Sequence, residues 1–138
     1  MAVGFKVKYY WYQIGSGELL HSFFSTICFR LENRQWGSGY PYLMNELYQG
    51  ELKRNHIENA VKELKNIKKA LKKFRPSEVV WDIDDLNAKP PWGDNISPEI
   101  KNLSMYFVTS EGEDLIDMME KALMRAKDLE ESLYIDTL

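Results

Sequence analysis

Asp82, Asp84, Asp85 and Asp94 crowd four carboxylates into one short stretch, with Trp81 and Trp92 set among them. Clustered carboxylate oxygens are the ligands that Mg²⁺ or Ca²⁺ requires, so one chemistry open to Asp82, Asp84 and Asp94 is metal-dependent hydrolysis or phosphoryl transfer. The spacing does not match a calcium loop. Counted from Asp82, such a loop needs Gly at its sixth position and Glu at its twelfth, where this chain has Asn87 and Gly93. A second chemistry is recognition, because aromatic side chains anchor protein interfaces and neighbouring acids favour a basic partner. On that reading Asp82, Asp84, Asp85, Trp92 and Asp94 are contact residues, and the chain needs no catalytic residue, metal or cofactor. The plainest reading is architectural: Pro90 and Pro91 fix the path, Trp92 closes the edge of the core, and Asp94 or Asn95 bonds turn backbone.

Other candidate groups point to structure more than to chemistry. Gly15-Ser16-Gly17 lies between a predicted strand and a predicted helix, where backbone N–H groups can cradle phosphate, yet neither the dinucleotide nor the lysine-bearing phosphate-loop pattern is present. His21 and Cys28 sit seven positions apart on one helical stripe, too far along the axis to hydrogen-bond, so no nucleophilic triad assembles. His21 and His56 belong to different predicted helices, which removes a local zinc motif. Cys28 has no second cysteine to pair with, and its apolar setting reads as a packed thiol. Trp11 and Trp81 fall in strand patterns and are expected in the core. Trp36 and Trp92 fall in glycine-containing loops, where an interface anchor and a loop pin are both open.

Hydrophobic periodicity supplies the elements that position these residues. Val3, Phe5, Val7, Tyr9 and Trp11 alternate with Gly4, Lys6, Lys8 and Tyr10, which predicts one strand with a buried face. Leu19, Leu20, Phe23, Phe24, Ile27, Cys28 and Leu31 then form a wide apolar stripe on a helix from about Glu18 to Asn33. Each such side chain contributes roughly 1.5 to 3 kcal/mol when fully buried, so this helix belongs to the core. A short helix is expected from Pro41 to Tyr48, stopping at Gly50. Asn55 and Glu58 resemble a capping box opening a helix that runs to Phe74, where Pro76 ends it. Glu78 to Ile83 reads as a second strand, Asp84 to Asn95 as a proline-stiffened connection, Ser97-Pro98-Glu99 as a helix start and Tyr106 to Thr109 as a third strand. Ser110 and Glu113 suggest another capping box ahead of a helix carrying Leu115, Met118, Met119, Ala122, Leu123, Ala126 and Leu129, with a last strand at Leu133 to Ile135. The expected fold is α+β: a small, mainly antiparallel sheet packed against amphipathic helices, as a single domain over residues 1 to 138.

The composition, with 44% hydrophobic and 28% charged residues, is that of a folded globular chain. No apolar leader opens it and no run approaches the ~20 apolar residues that cross a bilayer, so the cytoplasm is the expected compartment and no membrane partner is expected. The net charge of −3 conceals a polarised chain. Residues 51 to 75 carry nine bases and three acids, giving +6, whereas residues 76 to 138 carry five bases and fifteen acids, giving −10. Such separation steers encounters with a charged partner. The acidic half disfavours nucleic acid, and the lysines at 62, 65, 68, 69, 72 and 73 follow a helical spacing that suits a solvated outer face. A weaker option makes that basic helix an adaptor surface.

Trp36-Gly37, the run from Leu43 to Gly50, Val80 to Leu86, Pro90 to Ser97 and Tyr106 to Ser110 together resemble a bacterial family of polymorphic-toxin immunity proteins, immunity protein family 70. The resemblance spans most of the chain. It implies a cytosolic α+β protein that protects its own cell by binding and blocking the C-terminal domain of a cognate secreted toxin. Such a protein needs a complementary surface and no chemistry of its own, and a basic toxin domain, such as a nuclease, would be drawn to the acidic half.

Overall fold

The computed structural model describes residues 2–138. The chain order is β1 (Val3–Val7), β2 (Tyr10–Gly15), α1 (Gly17–Leu31), a π-helical turn (Tyr42–Leu47), β3 (Glu51–Leu52), α2 (Ile57–Leu71), α3 (Leu115–Leu129) and β4 (Leu133–Thr137). The four strands form one sheet in the order β2-β1-β4-β3, with every pairing antiparallel. The α+β architecture expected from the sequence is therefore the one observed. Phe5, Val7, Ile14 and Leu133 bury their side chains with Phe23, Phe24 and Ile27 of α1, Leu64 and Ile67 of α2, and Met119 and Leu123 of α3 in one continuous core.

The first predicted strand is in fact a hairpin. The chain reverses at Lys8 and Tyr9, with Val7 paired to Tyr10 and Lys8 in the left-handed region at φ 53°. Tyr9 is 87% exposed rather than inward-facing. The alternation concealed this turn because tyrosine and tryptophan are as strand-prone as the residues before them, and no Gly, Pro or Asn stands at the Lys8–Tyr9 reversal. Trp11 consequently lies opposite Lys6, on the sheet's outer face, not in the core as expected. Its ring covers Gly4 so closely that a Cβ there would meet Cζ2 at 2.6 Å.

Helix α1 opens with Ser16 capping the Leu19 amide at 3.1 Å, so Gly15-Ser16-Gly17 is a strand-to-helix turn. Its buried face includes Ser22, Ser25 and Thr26 beside the phenylalanines. Those hydroxyls explain why the predicted strand at Glu78 to Ile83 is absent. Val80 runs extended against α1, its carbonyl accepting from Ser22 Oγ at 3.0 Å and Thr26 Oγ1 at 3.1 Å, and its amide donating to Thr26 Oγ1 at 3.1 Å. The Ile83 amide donates to Ser25 Oγ at 3.1 Å, and Arg30 Nε donates to the Glu78 carbonyl at 2.9 Å. Buried backbone must find partners, and here helix side chains supply what a neighbouring strand would otherwise provide.

Four further expectations move for local reasons. Helix α2 has no Asn55–Glu58 box; a 3₁₀ turn at Arg54–His56 leads straight into it. Helix α3 is capped by Asp114, which accepts from the Asp117 amide at 3.1 Å, rather than by Ser110. Ser97-Pro98-Glu99 closes a single turn, and Tyr106 to Thr109 contributes only a bridge between Val108 and Asp114, because the Ser110 amide and the Thr109 amide are taken by Ile14 and Glu113 carbonyls. No helix among the described residues is long and apolar enough to cross a membrane.

Candidate functional site

Beyond Ile83 the chain leaves α1 and turns repeatedly. The Asp84 amide donates to Asp82 Oδ1 at 2.9 Å and the Asn87 amide to Asp85 Oδ1 at 3.1 Å, each a local turn built by an aspartate on its own backbone. Gly93 and Asn95 then close onto the Pro90 and Trp92 carbonyls. The segment is stiff at both ends, since Val80 is buried on α1 and Trp92 donates through Nε1 to the Tyr106 hydroxyl at 2.8 Å. Trp92 meets Trp81 edge-to-face at 5.4 Å while remaining 41% exposed, so it pins the loop and still shows an aromatic surface.

The fold brings Asp82 and Asp84 together and adds a residue that spacing could not supply. His21 on α1 points Nε2 at Asp82 Oδ1 at 3.2 Å, and its Nδ1 lies 3.0 Å from the Tyr48 hydroxyl. His21, Asp82 and Asp84 each place one ligand-type atom within 4.8 Å of the others, the one such group among the described residues. Asp94 and Asp85 are outside it, so the Asp82, Asp84 and Asp94 set required by a metal-dependent hydrolase is not assembled. Sequence separation hid His21, which stands 61 positions from Asp82. The Asp84 amide holds the Asp82 carboxyl below the usual carboxylate range; partial desolvation opposes this and His21 assists it. Burial, then the charges of Asp84 and Asp82, push the Tyr48 phenol up, which leaves it a poor nucleophile. Burial and the charges of Glu32 and Asp84 likewise raise the Cys28 thiol, and it stays a packed side chain.

Three adjoining depressions share walls and make one groove across this face. The polar end is bordered by Glu18, His21, Asp82 and Lys89. Glu18 and Trp81 continue into a middle section with Trp92 and Val108, and these last two continue into an apolar end with Ile100 and Tyr106. Asp94 lies near that end, where its charge helps burial raise the Tyr106 phenol. Asp85 stands exposed on the turn beside the polar end.

A second loop supports the polar end from behind. Buried Glu32 accepts the amides of Gly37, Gly39 and Tyr40 at 3.0, 2.9 and 3.0 Å, which folds the Trp36 loop around one carboxylate. Trp36 Nε1 donates to the Met44 carbonyl at 2.7 Å, and its ring meets Tyr48 edge-on at 4.8 Å and stacks beside His21 at 6.4 Å. Trp36 is thus a loop pin. The lysines of α2 are largely solvated, with Lys68 paired to Asp117 at 3.2 Å.

These features describe a small α+β protein that presents a shaped, acid-bearing surface on a stiff loop. A family model described as Immunity protein 70 matches residues 5–135, and the chain belongs to that family. Membership gives it an immunity role, with a cognate toxin as the implied partner. No curated protein and no solved structure matches the chain.

Proposed function

We propose that the protein neutralises a cognate secreted toxin domain in the cytoplasm of the producing cell by occupying it, without catalysing a reaction, and that the groove beside the acidic loop is the contact surface. The observation that carries this is the pinned loop itself: Asp82 and Trp92 line the groove, and Asp84, Asp85 and Asp94 lie on the same loop, whose path is set by its hydrogen bonds to α1 and Tyr106. A preorganised surface loses less conformational entropy on binding. A partly exposed tryptophan on the same loop as several acids suits the aromatic anchor and charged rim of tight interfaces. The partner is a basic domain, a nuclease being one such toxin, and the acids accelerate its capture.

The test is charge reversal at Asp84 and Asp85, both exposed, followed by binding of the cognate toxin domain. Slower association and a flatter salt dependence in Asp84→Lys/Asp85→Lys support the proposal, since surface charges act over about 8–10 Å at physiological ionic strength. Unchanged rate and salt slope remove the loop from the interface. Toxicity that persists when both proteins are produced together removes the immunity reading of this pair.

A further inference from the structure

We propose that His21, Asp82 and Asp84 bind a divalent transition cation, Zn²⁺ before Mg²⁺ or Ca²⁺, at the polar end of the groove. The imidazole and first carboxylate are already spaced as neighbouring ligands. Nε2 and Oδ1 are 3.2 Å apart, and two ligands bonded at about 2.0–2.1 Å to a tetrahedral ion stand about 3.3 Å from each other. Asp84 offers a third oxygen within 4.8 Å of both, from an exposed side chain free to rotate inward. Solvent reaches the cluster, with His21 and Asp82 side chains 29% and 35% exposed, which leaves a fourth position for water.

The imidazole is oriented by its second nitrogen. Tyr48 holds Nδ1 at 3.0 Å, the kind of outer partner that sets tautomer and aim for a metal-bound histidine. In the metal-free protein Nε2–H donates to Asp82, which as a carboxylate can only accept. On binding, the neutral ring changes tautomer: Nε2 gives up its proton to solvent, Nδ1 takes one up and donates it to the Tyr48 oxygen, and no net proton is released. Charge argues the same way. Among the described residues neither Asp82 nor Asp84 is ion-paired with a lysine or arginine. Lys89 borders the groove without pairing with either. Two carboxylates therefore face a single imidazole, and nitrogen in the ligand set favours Zn²⁺ over the oxygen-seeking Mg²⁺ and Ca²⁺.

The inference stands apart from toxin binding, because its probe is the metal alone. Titration calorimetry of the tag-free chain with ZnCl₂ should show one saturable site, lost in His21→Gln and Asp82→Asn and weakened in Asp84→Asn. Tyr48→Phe should weaken it about 10–100-fold, as loss of an outer-shell partner does. Zn²⁺ should raise the melting temperature of the wild type and not of His21→Gln, whose circular dichroism checks that it folds. No saturable Zn²⁺ binding overturns the proposal. So does equal binding by His21→Gln, which would place the metal at another site, or Mg²⁺ binding as tight as Zn²⁺.

Discussion

Thr26 and Ser22 hold the start of the acidic loop through a single residue, and their energetic coupling can be worked out from the hydrogen bonds. Thr26→Val preserves side-chain shape in a fully buried site and removes the acceptor of the Val80 amide. An orphaned buried N–H costs about 1–3 kcal/mol. The Val80 carbonyl survives that change because Ser22 still donates to it. Ser22→Ala removes one of two donors to the same carbonyl and costs about 0.5–1.5 kcal/mol, the ordinary net worth of a hydrogen bond. In the double variant the carbonyl loses both donors and adds its own desolvation penalty of about 1–3 kcal/mol, so the combined loss exceeds the sum of the single losses. Urea denaturation of the four proteins, with the m-values checked for constancy, reads this coupling directly. Strict additivity, or a Thr26→Val loss below about 0.5 kcal/mol, would mean that Val80 finds other partners and that α1 does not anchor the loop.

Trp92→Phe keeps an aromatic ring and deletes the donor to buried Tyr106, and it should lower stability by about 0.5–1.5 kcal/mol in thermal denaturation. Gly37 sits at φ +82° with Asn45 where a Cβ would go. Gly37→Ala should therefore cost at least the ~1–3 kcal/mol of a left-handed non-glycine residue, and adding Asn45→Ala should recover only the steric part, as measured by denaturation. Burial raises the Asp114 carboxyl, opposed by the Asp117 amide, so the folded state holds the proton more tightly than the unfolded chain. Wild-type stability from this group accordingly improves as pH falls through the raised value toward the ordinary 3.8. Asp114→Asn keeps a good helix cap and has no such proton. It should match or exceed the wild type at pH 7 and lose that advantage on acidification, in melts recorded across pH.

Helices α1 and α3 were legible in the amino-acid order because each buries a stripe that repeats at helical spacing over 15 residues, enough for periodicity to overrule local noise. The closing strand and the family likeness were legible too, the latter because Trp36-Gly37, the acidic run and Pro-Pro-Trp-Gly combine uncommon residues over separated segments. The hairpin and the missing strand at Val80 were not. Strand propensity records a side chain suited to a pleated, half-buried surface; it does not record where the chain turns or whether the backbone partner is a strand or a helix hydroxyl. The order of the charged residues alone also determined that residues 76 to 138 are acidic. Only tertiary structure decided which acids meet: a 15-residue helix carries His21 to Asp82 across 61 positions, the loop's own turns bring Asp84 back to Asp82, and Asp94 is carried away toward Tyr106. The physical reason is that side-chain chemistry is encoded residue by residue, whereas proximity between distant residues is a property of the packed core that holds them.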